Sequence, residues 1–237
     1  MSEISSSRRQ FLAGAALTLS SLVVTAGLPR LAFAGEPGTR KELLDEYSPV
    51  FFSEQEWQCL VAACDRLIPE DDAGPGAIAT RVPVFIDRQM QTEYGNGGLW
   101  YMHGPFYTDS APQFGYQYKF TPRDIYRIGL RELDAYCRSA RRDAFANLDA
   151  AAQDDILHGL ESNAIALSSM PGSVFFGQLL ANTKEGFFSD PRYGGNKGMS
   201  GWKMLGFPGA QGDYREAITR HNEKLNISPV SISRKES

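Results

Sequence analysis

Histidine and cysteine are scarce in this sequence, with three of each in 237 residues. His103, His158 and His221 lie far apart, so no two share a helical turn, as a zinc-type pair requires. Cys59 and Cys64 sit on an expected helix, roughly 140° apart around its axis, and do not readily share a cluster or a disulfide with each other. Cys64 continues the apolar face of Trp57, Leu60, Val61, Leu67 and Ile68, which points to core packing. A bridge from Cys137 to either of the others stays open in an oxidising compartment. His221 falls on the apolar face of an expected terminal helix and reads as a packed side chain. Motifs are missing as well. No C-x-x-C-H is present for covalent haem attachment, and no G-x-G-x-x-G follows a strand-like segment. The stretch GGNKGMSGWK at 194–203 does not have the spacing of a phosphate loop, and there is no G-x-S-x-G nucleophile turn. The acidic run Glu70-Asp71-Asp72 lies in a Gly/Pro-rich turn and reads as a solvated loop rather than a calcium site. No catalytic residue and no metal ligand are therefore assigned.

What is present begins at the N-terminus. Arg8 and Arg9 precede Phe11 and Leu12, and no charge follows until Arg30. Ala32 and Ala34 then form an A-x-A cleavage pattern. A charged start, an apolar stretch and small residues at the end make an export signal. The S-R-R-x-F-L arrangement makes it the twin-arginine type, an address read by a translocase. A membrane anchor is the weaker alternative, because Gly14, Thr18, Ser20, Ser21, Thr25 and Gly27 dilute the run. Cleavage after Ala34 removes three arginines and one glutamate, taking the net charge from −4 to −6. Such a surface suits neither nucleic acid nor an anionic membrane.

The rest reads as mainly α, a single compact helical domain over 35–237. Ser53 and Glu56 form a capping-box pair that opens a helix ending at Pro69. Val82, Phe85, Ile86 and Met90 repeat at helical spacing. Thr121 and Pro122 open a helix whose face runs through Tyr126, Leu130, Leu133 and Cys137. Asp149 caps the next. Another is expected from Ser173 to Glu185, and a last from about Asp213 to Leu225 through Tyr214, Ala217, Ile218 and His221.

Two segments, 94–120 and 186–212, carry no helical periodicity and are far longer than ordinary connections. They hold 14 of the 27 aromatic residues and 13 of the 23 glycines, the opposite of a disordered composition. One reading folds both loops onto their own domain. The other makes them a partner surface, because aromatics and Met with few charges compose an interface core. The expected contacts are Trp100, Tyr101 and Phe106 in the first segment. In the second they are Phe187, Phe188, Tyr193, Trp202, Phe207 and Pro208. Gly194 and Gly195 are expected to let the backbone follow the partner, and Asn196 to bond at a turn.

Three stretches carry a family resemblance. They are WQCLVAACDRLIPEDDAGPGA with VPVFIDRQ, GLWYMHGPF with FGYQ, and NTKEGFFSDPRYGGNKGMSGWKMLGFPGA. With the twin-arginine leader they resemble gluconate 2-dehydrogenase subunit 3, the small subunit of membrane-associated flavin-dependent sugar dehydrogenases. The resemblance implies no cofactor in this chain. It implies FAD in a large partner of the glucose–methanol–choline oxidoreductase type, and haem c in a multihaem cytochrome that passes electrons to quinone. It implies a periplasmic complex at the inner membrane, exported by the twin-arginine translocase, in which this subunit matures the flavoprotein. Gluconate is the leading substrate, with sorbitol, fructose and glucose as alternatives. A different class, an autonomous periplasmic iron–sulfur protein using three thiolates, stands as the rival.

Overall fold

The computed structural model describes residue 44 and residues 46–221, 223 and 226–233. These contain six α-helices and no named strand. We number them α1 (Glu54–Leu67), α2 (Val82–Gln89), α3 (Pro122–Arg141), α4 (Ala150–Glu161), α5 (Gly172–Phe188) and α6 (Ser200–Leu205). The mainly helical fold expected from the sequence is the fold observed.

The caps form as the sequence dictates. Ser53 Oγ accepts from the Glu56 amide and the Glu56 carboxylate accepts from the Ser53 amide, closing the capping box of α1. Thr121 and Asp124 repeat the device on α3, and Asp149 accepts from the Ala152 amide on α4. Each cap satisfies amides left over by the first helical turn and contributes about 1 kcal/mol. On α3 the buried stripe holds Tyr126, Leu130, Leu133 and Cys137, the face read from periodicity, and adds Ile125.

Helix α5 is the centre of the bundle, packing against α1, α2, α3 and α4. Its Phe175 and Leu179 are fully buried. Burying side chains of this size contributes roughly 1.5–3 kcal/mol each. Helix α2 runs antiparallel to α5: Gly186 near the end of α5 lies against Val82 and Phe85, while Tyr94, past the end of α2, meets Gln178 and Asn182. All six residues Val82–Asp87 are buried, while Arg88 at the end of α2 is exposed.

That buried run includes a carboxylate. Asp87 accepts from the Tyr47 hydroxyl at 2.6 Å and from the amides of Val50, Phe51 and Phe52 at 2.8, 2.9 and 3.1 Å. It ties the chain leading into α1 onto α2. Arg127 of α3 adds to the same corner, bonding Glu56 and the Phe51 carbonyl with its guanidinium 4.0 Å over the Phe51 ring.

Two expectations are corrected. Helix α5 continues to Phe188, and α6 lies inside 186–212, so that segment is not an unstructured loop. The helix expected over Asp213–Leu225 is not formed among the described residues, which show only a 3₁₀ turn at Arg215–Ala217. Tyr214, Ile218 and His221 are exposed. Most of the stability of an amphipathic helix comes from packing its apolar face, and Tyr214, Ile218 and His221 are not packed among the described residues. His221 is therefore not a packed core histidine.

Candidate functional site: two aromatic segments

The first segment is anchored by aromatics and neutral polar groups. The Tyr94 hydroxyl accepts from Gln178 Nε2 at 2.5 Å and Asn182 Nδ2 at 2.7 Å. Asn182 Oδ1 in turn accepts from the buried Tyr126 hydroxyl at 3.1 Å. Trp100 sits edge-on to Tyr94 and 4.8 Å from the Tyr116 ring, and the Tyr116 hydroxyl donates to the Phe120 carbonyl. Burial pushes the phenols of Tyr94 and Tyr116 above their ordinary pKa, so both stay protonated. Beyond this base the side chains turn outward. Leu99, Tyr107 and Phe114 are exposed, Tyr101 is 85% exposed, and Phe106 reaches the surface. Phe106 also borders a cavity of about 610 Å³ lined by Thr108, Tyr118, Lys119, Phe120 and Ser169.

The second segment turns inward. Asn196 is fully buried in the left-handed region at φ 45. Its Nδ2 donates to the Ser189 carbonyl at 2.9 Å and its Oδ1 accepts from the Gly201 amide at 2.8 Å. The Lys197 amide donates to the Thr80 carbonyl and the Met199 amide to the Asn196 carbonyl. The amides of Gly194, Lys197, Met199 and Gly201 in this run are thus committed within the chain. Trp202 is buried, its Nε1 donating to the Phe188 carbonyl at 2.7 Å.

The sequence-predicted partner contacts therefore divide. Tyr101 and Phe106 reach the surface in the first segment, and Phe188, Tyr193 and Phe207 in the second. Phe187, Asn196 and Trp202 are buried in the chain's own packing, and Trp100 is half-buried between Tyr94 and Tyr116. Gly194 lies against Arg88 and Val84, and a Cβ on Gly195 would stand 2.2 Å from the Gly186 carbonyl. These glycines allow close approach to α2 and α5. Pro208 is half-buried, its carbonyl accepting from the Val230 amide. Leu99, Tyr107, Phe114, Met204 and Leu205 join the exposed set. The low charge of 99–114 was the signal that could have named the first three.

The leader residues Arg8, Arg9, Phe11, Leu12, Ala32 and Ala34 lie outside the described residues. No helix among the described residues is long and apolar enough to cross a membrane. The cysteines are free and buried. Burial raises the Cys64 and Cys137 thiols to about 12 and Cys59 well above its ordinary value, the reverse of a thiolate site. No group of three His, Cys, Asp or Glu side chains among the described residues is placed to hold a metal ion. The Asp71 carboxylate is spent on its own turn, accepting from the Ala73 and Gly74 amides.

No curated protein and no solved structure matches the chain. A family model does, over residues 54–209, from the first turn of α1 through both aromatic segments. That stretch is well over half of the chain, which belongs to the gluconate 2-dehydrogenase subunit 3 family.

Proposed function

We propose that this chain is the non-catalytic small subunit of a periplasmic, membrane-associated, flavin-dependent gluconate 2-dehydrogenase. In this reading a large flavoprotein of the glucose–methanol–choline type, carrying FAD, oxidises D-gluconate to 2-keto-D-gluconate. A multihaem cytochrome c accepts the electrons. The small subunit docks to the flavoprotein, stabilises it, and carries it through the twin-arginine translocase by its own leader. The observation that carries the reading is the exposed aromatic surface of residues 99–114 on a chain of this family. Large rings held out by a fixed base lose little conformational freedom on docking, and such rings commonly supply the anchors of an interface.

Flavin and haem belong to the partners. In the glycine-rich run of this chain the amides of Gly194, Lys197, Met199 and Gly201 bond within the chain. Arg8→Lys with Arg9→Lys tests the export role. Dehydrogenase activity is expected to remain in the cytoplasmic fraction of the double variant. Normal periplasmic activity in that variant overturns the reading.

A further inference from the structure

The chain beyond the family match returns to the second aromatic segment. Within residues 226–233, Val230 pairs with Gly209 through an isolated parallel bridge. The Val230 amide donates to the Pro208 carbonyl at 3.1 Å, and the Ala210 amide donates to the Val230 carbonyl at 2.7 Å. A carboxylate completes the attachment. Asp190 Oδ1 accepts from the Ser231 hydroxyl at 2.6 Å and Oδ2 from the Ile232 amide at 2.8 Å. Asp190 is already fixed, because Oδ1 also accepts from the Arg192 amide as the cap of the turn Pro191–Tyr193.

The receiving notch is shaped for backbone. Gly209 has φ 73, and a Cβ there would stand 2.3 Å from the Val230 carbonyl and 2.9 Å from the Trp202 ring. A side chain at this position would fill the space Val230 occupies. The segment 226–233 itself buries little: Ile227, Val230 and Ile232 all stay exposed. Its attachment consists of main-chain bonds and one carboxylate, with no apolar anchor. Strand addition to an exposed edge takes affinity from main-chain bonds and selectivity from side-chain contacts.

We propose that the notch formed by Pro208–Ala210 and Asp190 is a strand-receiving site. Its ligand class is an extended peptide with a hydroxyl residue opposite Asp190, and its resident ligand is the detachable segment 226–233 of this chain. The segment acts as a strap over Gly209 and Trp202. The bundle of α1–α5 does not depend on it.

Hydrogen exchange of the full chain tests this without any partner subunit. Val230→Pro removes the donor to Pro208, and Asp190→Asn weakens the latch while keeping its shape. In each variant the Ala210 amide is expected to exchange about tenfold faster or more, with α3 and α5 amides unchanged. A peptide of sequence NISPVSIS added to the Val230→Pro chain is expected to restore Ala210 protection, and a scrambled peptide is not. Wild-type protection of Ala210 in both variants overturns the proposal. Loss of protection spread through α3 and α5 overturns it too, because the segment is then part of the core. Failure of the peptide to restore protection overturns the claim of a receiving site.

Discussion

Segments 94–120 and 186–212 have the same length and the same aromatic, glycine-rich, weakly charged composition, yet only the second buries any of its rings. The first holds Trp100 at its base and sends Tyr101, Tyr107 and Phe114 into solvent. The second buries Phe187 and Trp202 and wraps its glycines around α2 and α5. Composition thus marks a segment as ordered without saying which way it faces. The direction is decided by where the polar atoms find partners. In the second segment Asn196 and the indole of Trp202 bond to backbone carbonyls at the end of α5. In the first, the bonds gather at Tyr94 and Tyr116, and the residues between make few.

The largest effect is expected from Trp202→Ala. A buried ring is lost, and the Phe188 carbonyl loses its donor. Truncations of this kind cost about 3–5 kcal/mol. Urea unfolding of the isolated subunit measures it, and a change below about 1 kcal/mol breaks the assignment of this segment to the core. Asn196→Gly comes next. Glycine keeps the left-handed backbone, so the loss reports the two side-chain hydrogen bonds together with the extra freedom of glycine in the unfolded chain. Leaving such buried groups unpaired costs about 1–3 kcal/mol each. Asn196→Ala is expected to be worse, because alanine also resists φ 45.

The helices were legible because their signals are local. Ser53 with Glu56, Thr121 with Asp124, and Asp149 are caps written within four residues, and the faces of α1 and α3 follow from spacing. The burial of Asp87 was not legible. Its partners, Tyr47 and the amides of 50–52, are about 35 residues or more away along the chain, and nothing local announces them. The terminal helix over 213–225 failed for the complementary reason. Its stripe is present in the sequence, and Tyr214, Ile218 and His221 are not packed among the described residues. Trp202 was read as an interface anchor because exposed and buried aromatics look alike in composition. Only the Phe188 carbonyl, 14 residues back, tells them apart.

Tyr101→Ala combined with Phe114→Ala probes the other side of the comparison. Both side chains are exposed, so the isolated subunit is expected to unfold within about 0.5 kcal/mol of wild type. Copurification of the flavoprotein is expected to weaken. One anchoring ring carries about 2 kcal/mol, roughly 30-fold in affinity. Undiminished copurification moves the docking surface away from residues 99–114. A stability loss as large as that of Trp202→Ala makes the two segments alike after all.

The smallest effect is a response of the second segment to pH. The base of the first joins Tyr94 to Gln178 and Asn182, and Asn182 Nδ2 also donates to the Glu185 carboxylate at 2.7 Å. The second is latched by Asp190. Burial works to raise its pKa, but hydrogen bonds from Ser231 and the Arg192 and Ile232 amides, with the nearby charge of Arg192, outweigh that and leave it below its ordinary value. A carboxyl whose pKa is lower folded than unfolded adds stability above its unfolded pKa, and that stability is lost as pH falls through the folded one. Arg192 is the charged group facing Asp190, and the described part of the strap, 226–233, contains no titratable side chain. The exchange protection factor of Ala210 is therefore expected to hold from neutral pH down to about 5 and to fall below about 4. Asp190→Asn is expected to flatten this dependence at a lower protection throughout. A fall of equal size in the Asp190→Asn chain assigns the acid response to another group and removes Asp190 as the latch.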